Sequence, residues 1–209
     1  MIRVVEFAAS YVYSPGGLCA ASQRSRLLRT LLKAGDPQLI LRCAWRVRQQ
    51  AAELPLFAGL FTPRDVLVPV PRSTPNAAGS TWVAEHLAVA LVREGLAQCV
   101  WTGLHRMRAV RKSATAIAGR RPTVLSHYDS FAFDDCAEAP DHIILIDDVV
   151  SKGRTLLAAA TRVQEALPHA RIRAFAMVRT MGLIPDVGNL VEPCRGQIRW
   201  KAGDAHRNP

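Results

Sequence analysis

No apolar run in the 209 residues approaches the ~20 needed to cross a bilayer as a helix, so a membrane-spanning helix is not expected. The opening MIRVVEFAASYVYSPGG has neither a long apolar core nor a small-residue cleavage site, which argues against a secretory signal and for a cytoplasmic location. Cysteine is sparse and scattered: Cys19, Cys43, Cys99, Cys136 and Cys194 form no CxxC pair. That spacing gives no zinc site and no disulfide framework, and reduced, partly buried thiols are the expectation. Internal repeats are lacking too. Acidic residues are outnumbered, 17 against 27 Lys plus Arg, which leaves a net charge of +10. Between Gly95 and Tyr128 there is no Asp or Glu, yet Arg106, Arg108, Arg111, Lys112, Arg120 and Arg121 all fall there. Such an excess suits nucleic acid or a protein that handles pyrophosphate, and charge alone leaves both open. A hydrophobic content of 49% supports a real core, and the length suits one substantial α/β domain with an appendage.

Against this background one stretch stands out, His142 to Thr155, HIILIDDVVSKGRT. Four apolar residues, Ile143 to Ile146, suit a strand buried on both faces of a parallel sheet. Asp147 and Asp148 follow, then Val149 and Val150, then the small polar loop Ser151, Lys152, Gly153, Arg154 and Thr155. An amphipathic helix comes next, with Leu156, Ala160, Val163 and Leu167 on one face. The rim of an open α/β sheet is where ligands bind. A loop with free N–H groups leading into a helix N-terminus is a phosphate cradle, and Gly153 allows close backbone approach. Two carboxylates beside such a cradle would repel a bare anion unless they bind hydroxyls or a metal ion. A sugar phosphate meets both demands, with its diol on the carboxylates and its phosphate in the loop.

The stretch resembles the phosphoribosyl pyrophosphate (PRPP) motif of type I phosphoribosyltransferases, reading here IILI-DD-VV-SK-G-R-T, with Lys152 standing where the family has a small hydroxyl residue. The resemblance implies an α/β fold: a mainly parallel sheet with helices on both faces and a small N-terminal hood. It implies that Asp147 and Asp148 hold the ribose hydroxyls and Mg²⁺, directly or through water. Val149 to Thr155 would hold the 5′-phosphate. The loop VPVPRS resembles the pyrophosphate loop of the competence-protein F (ComF) branch, with Pro71, Arg72 and Ser73 as the matching positions. RKSATAIAGRRPTVLSHYDSF resembles that branch's mobile lid, with Arg111, Lys112 and Ser113 matching best. A lid excludes water and neutralises leaving pyrophosphate; a nucleic-acid patch or a solvated basic loop are the other readings of the same cations. LLKAGD, Leu31 to Asp36, also resembles a segment of that branch, whose four-cysteine zinc module this chain lacks. The implied reaction passes the phosphoribosyl group to an unidentified nitrogen nucleophile and releases pyrophosphate. A regulatory protein of the same fold that binds single-stranded DNA is the alternative. A homodimer is compatible with either reading.

Three parts are expected: a hood or helical segment over 1–60, a core over 61–180 and a tail over 181–209. Ile2 to Ala8 reads as a short strand, and Ser14-Pro15-Gly16-Gly17 as a turn. A helix is expected over Ala20 to Ala34, with Leu27, Leu28, Leu31 and Leu32 inward and Gly35 as its stop. Asp36-Pro37 then caps and opens a helix running to about Glu53. Further strands are expected at Asp65 to Val70, Gln98 to Trp101, Phe131 to Phe133, Arg171 to Arg179 and Gln197 to Lys201, with a helix over Thr81 to Glu94. Asp134-Asp135 reads as a surface turn, and the last eight residues as frayed. His86, His105, His127 and His142 receive no role.

Overall fold

The computed structural model describes residues 1–76, 79–111, 122–135, 139–182 and 184–209. Its centre is a seven-stranded sheet, in the order β3-β2-β6-β7-β1-β8-β9. The strands are β1 (Val4–Tyr13), β2 (Val66–Pro69), β3 (Cys99–Val100), β6 (His142–Val150), β7 (Arg171–Thr180), β8 (Val191–Lys201) and β9 (Asp204–Asn208). From β3 to β1 every neighbouring pair is parallel; β8 and β9 then join antiparallel at one edge. A separate two-stranded ribbon pairs β4 (Leu104–Arg106) with β5 (Phe131–Phe133). The α/β class, the mostly parallel sheet and the helical layers on both faces are as expected.

The helices are α1 (Ala20–Ala34), α2 (Pro37–Glu53), α3 (Val83–Arg93), α4 (Val124–Tyr128) and α5 (Arg154–Ala166). On one face, α5 packs Leu156, Ala160 and Val163 against Phe7, Ile143, Leu145 and Ile198. On the other, α1, α2 and α3 bring Leu32, Ile40, Val47 and Leu87 onto Ile144, Ile146, Phe175 and Met177. A fully buried side chain of this size contributes about 1.5–3 kcal/mol, so both faces of β6 and β7 matter to the fold.

Local chemistry explains the element ends. Gly35 adopts φ +75°, closing α1 with N–H groups returned to Leu31 and Leu32, and Asp36 caps α2 through Leu39 N at 2.7 Å. The two helices begin and end where the sequence places them. Only Leu28 and Leu32 of the α1 leucines are buried, however; Leu27 and Leu31 face outward.

The first sixty residues do not form a separate layer. β1 spans ten residues rather than a short N-terminal piece, and it lies between β7 and β8. Its largely apolar sequence, interrupted by Glu6 and Ser10 and buried from Val5 to Val12 save Glu6, suits an interior strand. The tail differs likewise. β8 and β9 form a hairpin whose turn residue Ala202 has φ +51°, so the last eight residues are sheet edge rather than frayed chain. Alternating polar residues such as Arg195, Gln197 and Arg199 conceal this strand from an apolar pattern.

Candidate functional site

Parallel pairing brings the site together. β2 and β6 are neighbours, in register from Val66 opposite Ile143 to Pro69 opposite Ile146, and Val70 N donates to Ile146 O at 2.8 Å. The loop leaving β2, Pro71 to Ser73, therefore stands beside Asp147 and Asp148. The segment preceding α3 is tied back to the same loop: Trp82 Nε1 donates to Val70 O at 2.9 Å, and Arg72 Nη1 to Thr81 O at 3.1 Å. Val110 N donates to Ser73 O at 2.7 Å, holding the start of the basic segment against it. Arg111 is exposed; Lys112 and Ser113 lie outside the described residues, as does the expected lid as far as Arg121.

The acid pair does not sit at a strand tip. β6 continues through Val149 and Val150, which pair with Val178 and Arg179 of β7. Val150 is buried in one core cluster and Val149 packs on the other, so these two side chains serve the core. Asp148 N donates to Asp147 Oδ1 at 2.8 Å. Burial and the adjacent Asp148 push Asp147 well above the usual carboxylate range, while Lys33 opposes the shift. Asp148 is itself buried and forms an ion pair with Lys33 of α1.

The 151–155 loop then turns into α5. Ser151 and Lys152 are exposed, Gly153 is the helix cap at φ +85°, and no side chain caps this N-terminus. Its first N–H groups and the positive helix end are thus available to an anion. The loop cations are directed elsewhere. Arg154 donates Nε and Nη2 to the two oxygens of Asp204, each at 2.5 Å, and Nη1 to Pro122 O at 3.1 Å. Lys152 Nζ lies 3.5 Å from Asp204 Oδ2. The Arg154 hydrogen bonds hold the Asp204 carboxyl down at about 2. The C-terminal hairpin therefore clasps the loop, a contact not legible in the sequence.

Gly153 is constrained by packing as well as by any ligand. A Cβ at this position would lie 2.7 Å from Ile198 of β8, and φ +85° disfavours L side chains. Gly153→Val would disturb the fold and so would not probe ligand binding alone. Gly153→Ala should lower stability by roughly 1–2 kcal/mol from backbone strain before any steric term. Ile198→Ala in the same chain should lessen the steric part only; thermal unfolding of the single and double variants checks this.

Two further residues complete the site. Arg106 is buried rather than part of an exposed basic surface. It donates Nε to Arg72 O and Nη1 to Ser130 Oγ, and stacks 4.2 Å over Phe131. Burial lowers its pKa to about 10, opposed by the charge of Asp147. His127 is 4% exposed, lies 3.5 Å from Thr155 Oγ1 and stacks on Phe131, and its Nδ1 has no hydrogen-bond partner among the described residues. Burial, then Arg106 and Arg154, push it down to about 4, so the imidazole is neutral at physiological pH. His86 is exposed and His105 and His142 half-buried, so of these four histidines only His127 is buried.

This has a pH consequence. Unfolded His127 would take a proton near 6.5 but the folded protein only near 4. The unfolded state binds more protons between those values, so stability falls as pH drops from 6.5 towards 4 and is unaffected by this group above 6.5. The full loss is roughly 3 kcal/mol. Urea unfolding against pH should show a shallower acid slope in His127→Gln than in wild type, with the other titrating groups common to both.

For a divalent cation the described residues hold no cluster of three or more His, Cys, Asp or Glu. The acid pair supplies hard oxygen donors, as Mg²⁺ requires, but too few for a protein-only site. Such a site suits an ion shared with a ligand that brings its own oxygens. Among the described residues no helix is long and apolar enough to cross a membrane. In comparisons with known proteins, no family model matches the chain and no curated protein matches it.

Proposed function

We propose that the protein binds PRPP with Mg²⁺ and transfers its phosphoribosyl group to a nitrogen nucleophile, releasing pyrophosphate. The observation that carries this reading is one juxtaposition. The Asp147–Asp148 pair of β6, the uncapped N-terminus of α5 and the Pro71–Ser73 loop of β2 share one end of the parallel sheet. A ligand with a phosphate, a vicinal diol and a diphosphate matches those features in chemistry and in order.

Asp147 and Asp148 would accept hydrogen bonds from the ribose hydroxyls and fix the sugar. The backbone of Ser151 to Gly153, with the first N–H groups of α5, would hold the 5′-phosphate; Thr155 Oγ1 lies in the same turn, steadied by His127. Arg72 would face the diphosphate, its loop anchored by Arg106 and Thr81. Mg²⁺, when bound, offsets charge on the departing diphosphate. The protein's share is positioning and electrostatic stabilisation as the C1–O bond breaks and the acceptor nitrogen bonds to C1. No covalent nucleophile is required.

Calorimetric titration with PRPP and Mg²⁺ tests the binding. A panel of nucleobases incubated with PRPP and read by mass spectrometry tests the transfer. Saturable Mg²⁺-dependent binding with a new nucleoside monophosphate is the expected result. Binding of single-stranded DNA with a steep salt dependence and indifference to PRPP would instead favour the nucleic-acid reading.

A further inference from the structure

The Lys33–Asp148 ion pair links a helix of the N-terminal segment to the acid pair, and the proposed reaction assigns Lys33 no part. Its position is well fixed. It occupies the last turn of α1, where a cation also faces the helix's negative end. Gly35 then reverses the chain so tightly that a Cβ there would lie 2.5 Å from Thr81 Cγ2. Thr81 in turn accepts from Arg72, so α1, the Pro71–Ser73 loop and the acid pair form one packed unit. The Lys33 side chain is 48% exposed, whereas that of Asp148 is 10% exposed. This is therefore not a pair of solvated surface charges, whose mutual effect is small. Removing Lys33 would leave two adjacent carboxylates with one fewer compensating charge in a poorly solvated place.

We infer that Lys33 is a positioning residue that acts as a resident counter-ion at Asp147–Asp148. It weakens capture of free divalent cations there, so that metal is held only together with a ligand that supplies further oxygens. This rests on the proposed PRPP site for the identity of that ligand, but the counter-ion role itself concerns the metal alone. A free divalent ion must compete with the Lys33 ammonium for Asp148 and finds too few remaining protein oxygens. A diphosphate and a diol bring the missing donors and make the exchange favourable. Half-exposed, the ammonium can leave Asp148 for solvent.

Mn²⁺ binding, read by electron paramagnetic resonance at one mildly alkaline pH, tests this on wild type, Lys33→Gln and Lys33→Arg. Circular dichroism confirms the fold of each. Without PRPP, Lys33→Gln should bind Mn²⁺ tighter than wild type by on the order of ten-fold or more, and Lys33→Arg should match wild type. Adding PRPP should tighten Mn²⁺ binding strongly in wild type and much less in Lys33→Gln. Equal free-Mn²⁺ affinity in wild type and Lys33→Gln overturns the counter-ion role, whatever PRPP does. If the difference holds but PRPP has no effect on any of the three proteins, the phosphoribosyl reading fails while the counter-ion assignment stands.

Discussion

Asp147→Asn combined with Asp148→Asn is expected to remove detectable PRPP binding from a protein that still folds. On the proposed reading, each acid of the pair, ionised when Mg²⁺ and PRPP are bound, would accept a charge-assisted hydrogen bond from a ribose hydroxyl. Such bonds contribute about 1.5–3 kcal/mol, and two of them roughly 3–6 kcal/mol together. That corresponds to roughly two to four orders of magnitude in affinity. The fold should tolerate the change. Ionised Asp147 is disfavoured where it stands, by burial and by Asp148, so an amide of the same shape removes a repulsion rather than a support. Lys33 loses its partner but is half-exposed and can turn to solvent. The backbone N–H at position 148 keeps an acceptor, because the amide introduced at position 147 retains a side-chain oxygen. Calorimetry on wild type and the double variant, with circular dichroism as the fold control, provides the check. An unchanged PRPP affinity in a folded double variant would place the ribose elsewhere.

Much of this site is legible in the sequence because it is local. The run Ile143 to Ile146, the acids, Gly153 and the helix beginning at Arg154 occupy fourteen consecutive residues, counted from His142 to Thr155. Asp36 and Pro37 announce α2 for the same reason: a cap and its first turn are neighbours in the chain. What the sequence conceals is contact between distant segments. Asp204 sits fifty residues beyond Arg154, in a stretch whose polar residues suggest a loose tail. Nothing local distinguishes Arg106, buried beneath Arg72, from the exposed cations around it. His127 follows the same logic, since it lies against Phe131 of β5 and Thr155 of α5, outside its own short helix. Lys33 is partly within reach, in the phrase LLKAGD, but its partner is 115 residues away, the difference between 148 and 33.

β7 conceals a further case of this kind. Its alternation places Arg173 on the same side as Phe175 and Met177, where a charge has no evident place. The structure supplies the reason: Arg173 is 3% exposed and ion-paired with Asp65, which is fully buried at the entrance to β2. Nη1 of Arg173 also donates to Gly59 O at 2.6 Å and Leu60 O at 2.8 Å, and Asp65 accepts from Thr62 N at 2.5 Å. Burial pulls the Arg173 pKa down and Asp65 opposes it. This cluster ties the segment joining the N-terminal helices to β2 onto the middle of the sheet. Breaking it from one side leaves an uncompensated buried charge, so Asp65→Leu or Arg173→Met alone should each cost about 3–5 kcal/mol. That is a large part of the roughly 5–15 kcal/mol that holds a domain folded. Replacing both together should cost much less than the sum, because no lone charge remains, although Gly59 O and Leu60 O would still lose a donor. Urea unfolding of the two single variants and the double one measures the coupling. Additive losses would mean that each charge is stabilised by its backbone partners rather than by the other.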